Sequence, residues 1–213
     1  MIAYKFLREG GRGPYSKFTW PLPTRRADGT WEPGEWVEAT GELVLCENGI
    51  HACRAEDVLT WLDAEMYEVE LGGEIVEGKD KLCARRGRLL RRVEAWDMRT
   101  ARVFATRCAR RVWHLLTSEG RQAVRVARLF ADGKATDEEL AAARAAAWVA
   151  AWVVAEAAAW AAARAAAWAA AWAAAEIAAG AAARDAAGVA ERDWQSRHLF
   201  RMLGEPRTTG GAP

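Results

Sequence analysis

The feature that most constrains the fold is a segment, residues 140–183, that is almost entirely alanine with tryptophan, arginine or glutamate at most fourth positions. Alanine has the highest intrinsic helix propensity of the amino acids. The segment is also much longer than the roughly 12–15 residues below which isolated helices are marginal in water. The sequence therefore predicts one very long Ala/Trp-rich helix over residues 134–204, which we call the Ala/Trp helix.

Its ends and its weakest points can also be read from the sequence. Thr136 and Glu139 have the spacing of a capping box, in which each side chain bonds the backbone N–H of the other residue. Gly180 and Gly188 each cost about 1 kcal/mol relative to alanine, so any bend is expected within residues 180–188. Residues 205–213 are expected to form a flexible tail.

The tryptophans of this helix predict an interaction surface. Four residues turn an α-helix by about 400°, so each step drifts by about 40° and the indoles wind around the axis. An apolar ridge of this kind is rarely left in water, so we expect homo-oligomers in which the ridge is covered from several sides. The alternative is a low-complexity repeat without a selected role. The predicted interaction residues are Trp148, Trp152, Trp160, Trp168 and Trp172.

A membrane location is not indicated. The longest uncharged runs, 145–155 and 165–175, have eleven residues each, whereas a membrane span needs about 18 or more. The N-terminal sequence MIAYKFLREGG lacks the apolar core of an export signal. Four cysteines without such a signal favour reduced thiols, and we expect a cytoplasmic protein.

The charge is unevenly distributed along the chain. Residues 85–130 carry thirteen arginines and three acidic residues, whereas residues 1–84 are acidic overall. One interpretation is nucleic-acid binding through the arginine-rich region 85–128. The alternative is that the arginines occupy the outer faces of amphipathic helices and neutralise the acidic N-terminal part.

The pattern over residues 1–95 predicts a small β-rich domain with one short helix. Asn48-Gly49 is a strong hairpin signal. Gly72-Gly73 and Arg86-Gly87 are predicted to be turns, and residues 55–62 a short helix. The predicted strands are Ile2–Leu7, Trp36–Ala39, Leu43–Cys46, Ile50–Cys53, Met66–Leu71, Glu74–Val76, Lys81–Ala84 and Arg88–Val93.

Beyond this domain the apolar period becomes helical. Two amphipathic helices, capped by Asp97 and Ser118, are predicted to form a connector over residues 96–133. The whole chain is therefore predicted to be α+β, with a β-rich N-terminal domain, amphipathic helices and the Ala/Trp helix.

One cluster has the composition of a metal site. Cys46, His51 and Cys53 lie within eight residues, and Cys83 or Cys108 could supply a fourth zinc ligand. The alternative is a pair of buried thiols beside a hydrogen-bonded histidine at a hairpin.

Two stretches carry a family resemblance. The loop GPYSKFTW and the hairpin CENGIHAC together resemble a family of uncharacterised small domains from phage and high-GC bacterial proteins, for which no activity is known. More loosely, the order of strands and helix is similar to the ADP-ribosyltransferase core. That second resemblance implies an NAD-binding domain with His51, Tyr67 and Glu70 as site residues.

Taken together, these features favour a non-enzymatic structural or interaction protein that needs no cofactor and self-associates through the Ala/Trp helix. The transferase-like domain and nucleic-acid binding remain the alternatives.

Overall fold

The computed structural model describes residues 1–111, 113–149 and 173–207, and the backbone alone for residues 115 and 173–187. The chain forms two compact units. The first, which we call the head unit, comprises Met1–Met98 and the chain from Arg192 onwards. The second comprises Arg99–Glu191. An antiparallel sheet is followed by helices, so the predicted α+β class is confirmed.

The head unit is built on two long antiparallel strands that follow one another in the chain. The strands are β1 (Ile2–Leu7), β2 (Thr24–Arg25), β3 (Trp31–Glu32), β4 (Val37–Glu38), β5 (Ile50–Ala52), β6 (Glu65–Glu77) and β7 (Leu82–Arg92). β6 pairs with β7 along most of its length, and β1 pairs with the first half of β6. β4 and β5 pair with different parts of β7, while β2 and β3 form a separate hairpin.

The main sheet closes on itself. β1 and β5 lie at opposite ends of the series β1–β6–β7–β5. Tyr4 on β1 exchanges two backbone hydrogen bonds of 2.8 Å with Cys53, the residue after β5. The four strands therefore form a small closed layer around an apolar interior. The interior residues include Ala3, Leu7, Trp20, Ile50, Ala52, Tyr67, Val69, Leu71, Leu82, Ala84 and Leu89.

The opposite face of β1 is covered by the end of the last helix. Successive residues of a strand point to opposite faces, so Tyr4 points away from the interior that holds Ala3. The ring of Tyr4 meets the ring of Phe200 edge-on at 4.9 Å. The hydroxyl of the fully buried Ser196 donates to the carbonyl of Ala55 at 2.7 Å. The head unit is thus formed by the N-terminal strands together with the end of α4.

The helices are α1 (Met98–Arg111), α2 (Ser118–Ala131), α3 (137–149) and α4 (Ala173–Leu203). Thr136 and Glu139 form the predicted capping box, with hydrogen bonds of 2.8 and 3.2 Å. α4 continues through Gly180 and Gly188 without interruption. Residues 150–172 lie outside the described part of the chain, and so does the central portion of the predicted Ala/Trp helix. No helix of the described residues has both the length and the hydropathy of a membrane span.

The two predicted turns at Gly72-Gly73 and Arg86-Gly87 are wrong, because both pairs lie inside long strands. The register of β6 and β7 shifts between Gly72 and Ile75, as it does at a β-bulge. Gly73 has a positive φ of +75°. A bulge can require such an angle, and glycine adopts it without strain. The glycines therefore bend the sheet rather than end its strands.

Three shorter predictions also differ from the structure. Residues 43–46 are not a strand but part of a tight turn closed by Val44 and Asn48. The short helix predicted over residues 55–62 is reduced to one 3₁₀ turn, Val58–Thr60. The cap of α2 is Thr117 rather than Ser118, since the Thr117 side chain accepts from the N–H of Gly120.

Candidate functional site

The tight turn that precedes β5 is held by its own polar side chains. The amide nitrogen of Asn48 donates to the carbonyls of Thr40 and Glu42, both at 2.7 Å. Gly49 has φ +134°, and a Cβ added there would overlap the sulfur of Cys83. Both the backbone angle and the lack of space require glycine at this position.

Cys46 lies at the apex of this turn in an unusual backbone conformation. Its φ of +72° is the only positive φ of a non-glycine residue in the described chain. The backbone N–H of Cys46 donates to Nε2 of His51 at 3.0 Å. Burial, followed by the positive charges of Lys5 and Lys81, lowers the pKa of His51. A neutral imidazole can accept this hydrogen bond, so His51 acts here as an anchor for the turn.

The sulfur of Cys46 is exposed and faces a lysine. Nζ of Lys81 donates to Sγ of Cys46 at 2.8 Å, and this hydrogen bond raises the pKa of Lys81. Lys81 also lies 4.7 Å from the centre of the Trp61 ring, a cation–π contact. The Trp61 ring in turn meets the ring of Tyr15 edge-on at 6.3 Å. We call these four residues (Tyr15, Cys46, Trp61 and Lys81) the thiol patch.

The remaining cysteines lie in less reactive surroundings. Cys53 is buried and its sulfur donates to the carbonyl of Tyr4 at 3.4 Å. Cys83 is buried against the carbonyl of Asn48, at 3.3 Å. Burial raises the pKa of the Cys53 and Cys83 thiols, and it raises the pKa of the Cys108 thiol to about 11. They are therefore protonated thiols at neutral pH.

The side chains of the three predicted metal ligands contact different groups. The sulfur of Cys46 contacts Lys81, the ring of His51 contacts the turn, and the sulfur of Cys53 contacts β1. Within the described residues, no group of three or more histidine, cysteine, aspartate or glutamate side chains is placed to hold a metal ion.

The three residues implied by the transferase resemblance are likewise separate. Tyr67 is buried and donates to Glu65 at 3.0 Å; burial, with Glu65, raises the pKa of Tyr67. Glu70 accepts from Arg88 at 2.8 Å. Because Tyr67 and Glu70 are three residues apart on β6, their side chains point to opposite faces of the strand. His51, Tyr67 and Glu70 therefore do not form one cluster.

Two polar side chains of the closed sheet, Glu65 and Lys5, are absent from the sequence predictions. Glu65 is 7% exposed and accepts from the backbone N–H of Gly11 at 3.0 Å as well as from Tyr67. Lys5, which pairs with Tyr67 in the sheet, donates to the carbonyl of His51 at 2.5 Å, and its burial lowers its pKa to about 8. The alternation of residues 65, 67 and 69 on one face of β6 was the sequence signal that could have placed Glu65 inside.

The predicted interaction and nucleic-acid residues fall in different parts of the chain. Trp148 is 74% exposed and lies on α3, whereas the other four tryptophans of the predicted set lie outside the described residues.

Many arginines of region 85–128 form ion pairs with acidic residues of the chain. These pairs are Arg85–Glu74, Arg88–Glu70, Arg91–Glu68, Arg92–Glu65, Arg99–Asp132, Arg111–Glu191 and Arg128–Asp132.

One part of the chain is similar to a known protein family. Residues 1–101 match the model of a family described as a domain of unknown function, DUF7666. No curated protein and no solved structure matches the chain. The matched region, residues 1–101, contains the seven strands named above and the thiol patch, but not the residues of α4 that complete the head unit.

Proposed function

We propose that the protein is a non-enzymatic interaction protein that self-associates through the Ala/Trp helix. The observation that supports the proposal is the exposure of Trp148, which is 74% open to solvent although it lies within a regular helix. Val149, beside it in sequence, is 63% exposed. The described residues of the chain thus leave both side chains largely uncovered.

A second copy of the chain would gain free energy by covering the tryptophans of the Ala/Trp helix. A tryptophan side chain buries on the order of 200 Å², worth up to about 5 kcal/mol at about 25 cal/mol per Å². The sequence repeats the same residue at positions 152, 160, 168 and 172, so one favourable contact would recur along the helix. The intervening alanines permit the close approach of a neighbouring helix.

The direct test is sedimentation velocity of the full chain over a range of concentrations. We expect a species heavier than the 23.4 kDa monomer. Trp148→Ala should weaken association by about tenfold or more, which corresponds to roughly 1.4 kcal/mol. Trp36→Ala is the matched control, because Trp36 is also partly exposed but lies in the head unit.

Two results would contradict the proposal. One is a monomer at every concentration tested. The other is an equal loss of association in the Trp148→Ala and Trp36→Ala variants, which would place the contact elsewhere.

A further inference from the structure

An open groove lies between α2 and α3, both of which belong to the second unit, and its volume is about 450 Å³. Volumes of this order hold a small ligand or one large side chain. The walls are mainly apolar, and Leu129 among them is 44% exposed. They include Gln122, Val126 and Leu129 of α2 and Glu139, Ala142 and Ala143 of α3. We call this depression the α2/α3 groove.

The groove results from the spacing of its residues on the two helices. Positions 122, 126 and 129 are three or four residues apart, and so are positions 139, 142 and 143, so each set lies on one face of its helix. Because alanine has a short side chain, Ala142 and Ala143 leave space open beside Val126 and Leu129. A side chain that projects from another helix can pack into such a depression.

The unit that contains the groove also carries a side chain that fits it. Trp148 lies on α3 and is 74% exposed. Its indole is large, flat and mostly apolar, and it loses much exposed area when an apolar surface covers it. The groove and the tryptophan therefore complement one another in size and in polarity.

Trp148 points away from the groove of its own chain. It follows Ala143 by five residues and Ala142 by six. Each residue of an α-helix turns by about 100°, so Trp148 lies about 120–140° around the axis of α3 from these two alanines. A tryptophan that fills the groove must therefore come from a second copy.

The charges beside both features indicate how a second copy would be oriented. The exposed Arg144 precedes Trp148 by four residues, just as Glu139 precedes Ala143 by four. A parallel helix that sets its Trp148 against Ala143 therefore sets its Arg144 against Glu139. One carboxylate oxygen of Glu139 accepts from the N–H of Thr136, and a carboxylate can accept further hydrogen bonds. Complementary charges of this kind fix the register of an interface.

We propose that the α2/α3 groove of one copy binds Trp148 of a second copy, with the two α3 helices parallel. This inference rests on the proposed self-association and adds the surface that receives the tryptophan. Because the groove and Trp148 lie on different sides of α3, two copies make one such contact and leave one groove and one Trp148 open. The contact is heterologous, so it continues into a ring or a filament and does not close as a twofold dimer.

The test uses two variants of the full chain that each remove one side of the contact. Trp148→Ala keeps the groove, whereas Ala142→Arg places a long charged side chain in the groove and keeps the tryptophan. Each variant alone should associate at least about tenfold more weakly than the native chain in sedimentation velocity. An equimolar mixture should restore a complex of two copies and no larger species, because Trp148 of one variant enters the intact groove of the other.

Matched variants separate the groove from general effects of an added charge. Ala190→Arg is the control, because it makes the same change at an exposed alanine of α4 and should leave association unchanged. Arginine is a good helix former and Ala142 is also exposed, so both variants should keep the native helix content by circular dichroism. Arg144→Glu should weaken association about tenfold, and Arg144→Lys should restore most of it.

The outcomes distinguish this inference from the proposed function. A native chain that is monomeric at every concentration would contradict both. Association that is lost in Trp148→Ala but retained in Ala142→Arg would leave self-association standing and overturn the groove as its receptor. A mixture of the two variants that associates no better than either one alone would overturn the head-to-tail contact.

Discussion

Arg91 and Glu205 form a two-point ion pair that joins the C-terminal segment to the sheet of the head unit. The two terminal nitrogens of Arg91 donate to the two carboxylate oxygens of Glu205 at 2.8 and 2.6 Å. Nε of the same guanidinium donates to Glu68 at 2.8 Å. The hydrogen bonds to Glu205 raise the pKa of Arg91 further above its ordinary value. Two ion pairs therefore hold the segment after α4 against the head unit. One joins Glu205 to Arg91, and the other joins Arg207 to Asp193.

This pair predicts a measurable contribution to the stability of the head unit. Glu205→Ala should lower the free energy of unfolding by about 1–2 kcal/mol, because charge-assisted bidentate hydrogen bonds between partly buried groups are lost. Glu94→Ala is the matched control, since it removes the Arg25–Glu94 pair, whose side chains are 53% and 51% exposed. This control should change stability by less than about 1 kcal/mol. Urea denaturation of both variants measures the two changes in the free energy of unfolding. Equal losses would show that the Glu205 contact stabilises the head unit no more than the exposed Arg25–Glu94 pair.

The region that matches the family model, residues 1–101, is predicted to be incomplete as a folding unit. A fragment of residues 1–101 lacks Ser196 and Phe200, so Tyr4 and the carbonyl of Ala55 lose the contacts that cover them. We expect this fragment to aggregate or to melt at a lower temperature than the full chain. Joining residues 188–207 to it by a flexible linker should restore a cooperative thermal transition.

The control for that fusion is Phe200→Ala in the added segment. Phenylalanine-to-alanine changes in cores typically cost about 3–5 kcal/mol, so this variant should lose most of the gain. A fragment of residues 1–101 that is already as stable as the fusion would contradict the prediction.

Elements whose signals lie within one short stretch of sequence are predicted correctly. The alternation in Met66–Leu71 correctly predicts a strand, and Thr136 and Glu139 correctly predict the start of α3. The length of β6 could not be predicted in the same way. Gly72-Gly73 is compatible with a turn or a bulge, and the choice depends on a partner strand that pairs on both sides of it.

The thiol patch depends on contacts that no local pattern encodes. Cys46 and Lys81 are 35 residues apart, and their contact follows from the pairing of β5 with β7. Cys46, His51 and Cys53 share one short stretch of sequence, which is why they suggested a common site. Their spacing could not show that the first lies in a turn and that the last bonds to β1.

Two glycines with positive φ differ in backbone angle and in the space around them. Gly49→Ala should lower the free energy of unfolding by several kcal/mol, because the new Cβ would overlap the sulfur of Cys83 and because alanine is strained at φ +134°. Gly10→Ala is the control, because Gly10 has φ +73° with nothing within 4 Å of an added Cβ. Only the backbone strain, about 1 kcal/mol, applies to this variant. Thermal melts of the two variants give the comparison, and similar losses would mean that the turn shifts easily around Cys83.

Burial of Lys5 makes the free energy of unfolding depend on pH. Burial lowers the pKa of Lys5 from its ordinary 10.5 to about 8. Between these two values the unfolded chain binds more protons than the folded chain, so the contribution of Lys5 to the free energy of unfolding rises with pH. Below pH 8 the full penalty for a buried ammonium applies, up to about 3 kcal/mol for a shift of this size. The penalty should have largely disappeared near pH 10.5.

Other groups make the free energy of unfolding fall as pH rises. The effect of Lys5 must therefore be measured as the difference between the native chain and a Lys5 variant. Burial raises the pKa values of Cys53 and Tyr67, which makes folding less favourable above their ordinary values of 9.0 and 10.0. Urea denaturation of the native chain and of Lys5→Met between pH 7 and pH 10 cancels these common terms. The stability of Lys5→Met relative to the native chain should be greatest at pH 7 and should fall as pH rises past 8. Lys17→Met, which changes an exposed lysine, should show a constant difference over the same range. A pH-independent difference for Lys5→Met would mean that Lys5 is as well solvated in the folded chain as in the unfolded one.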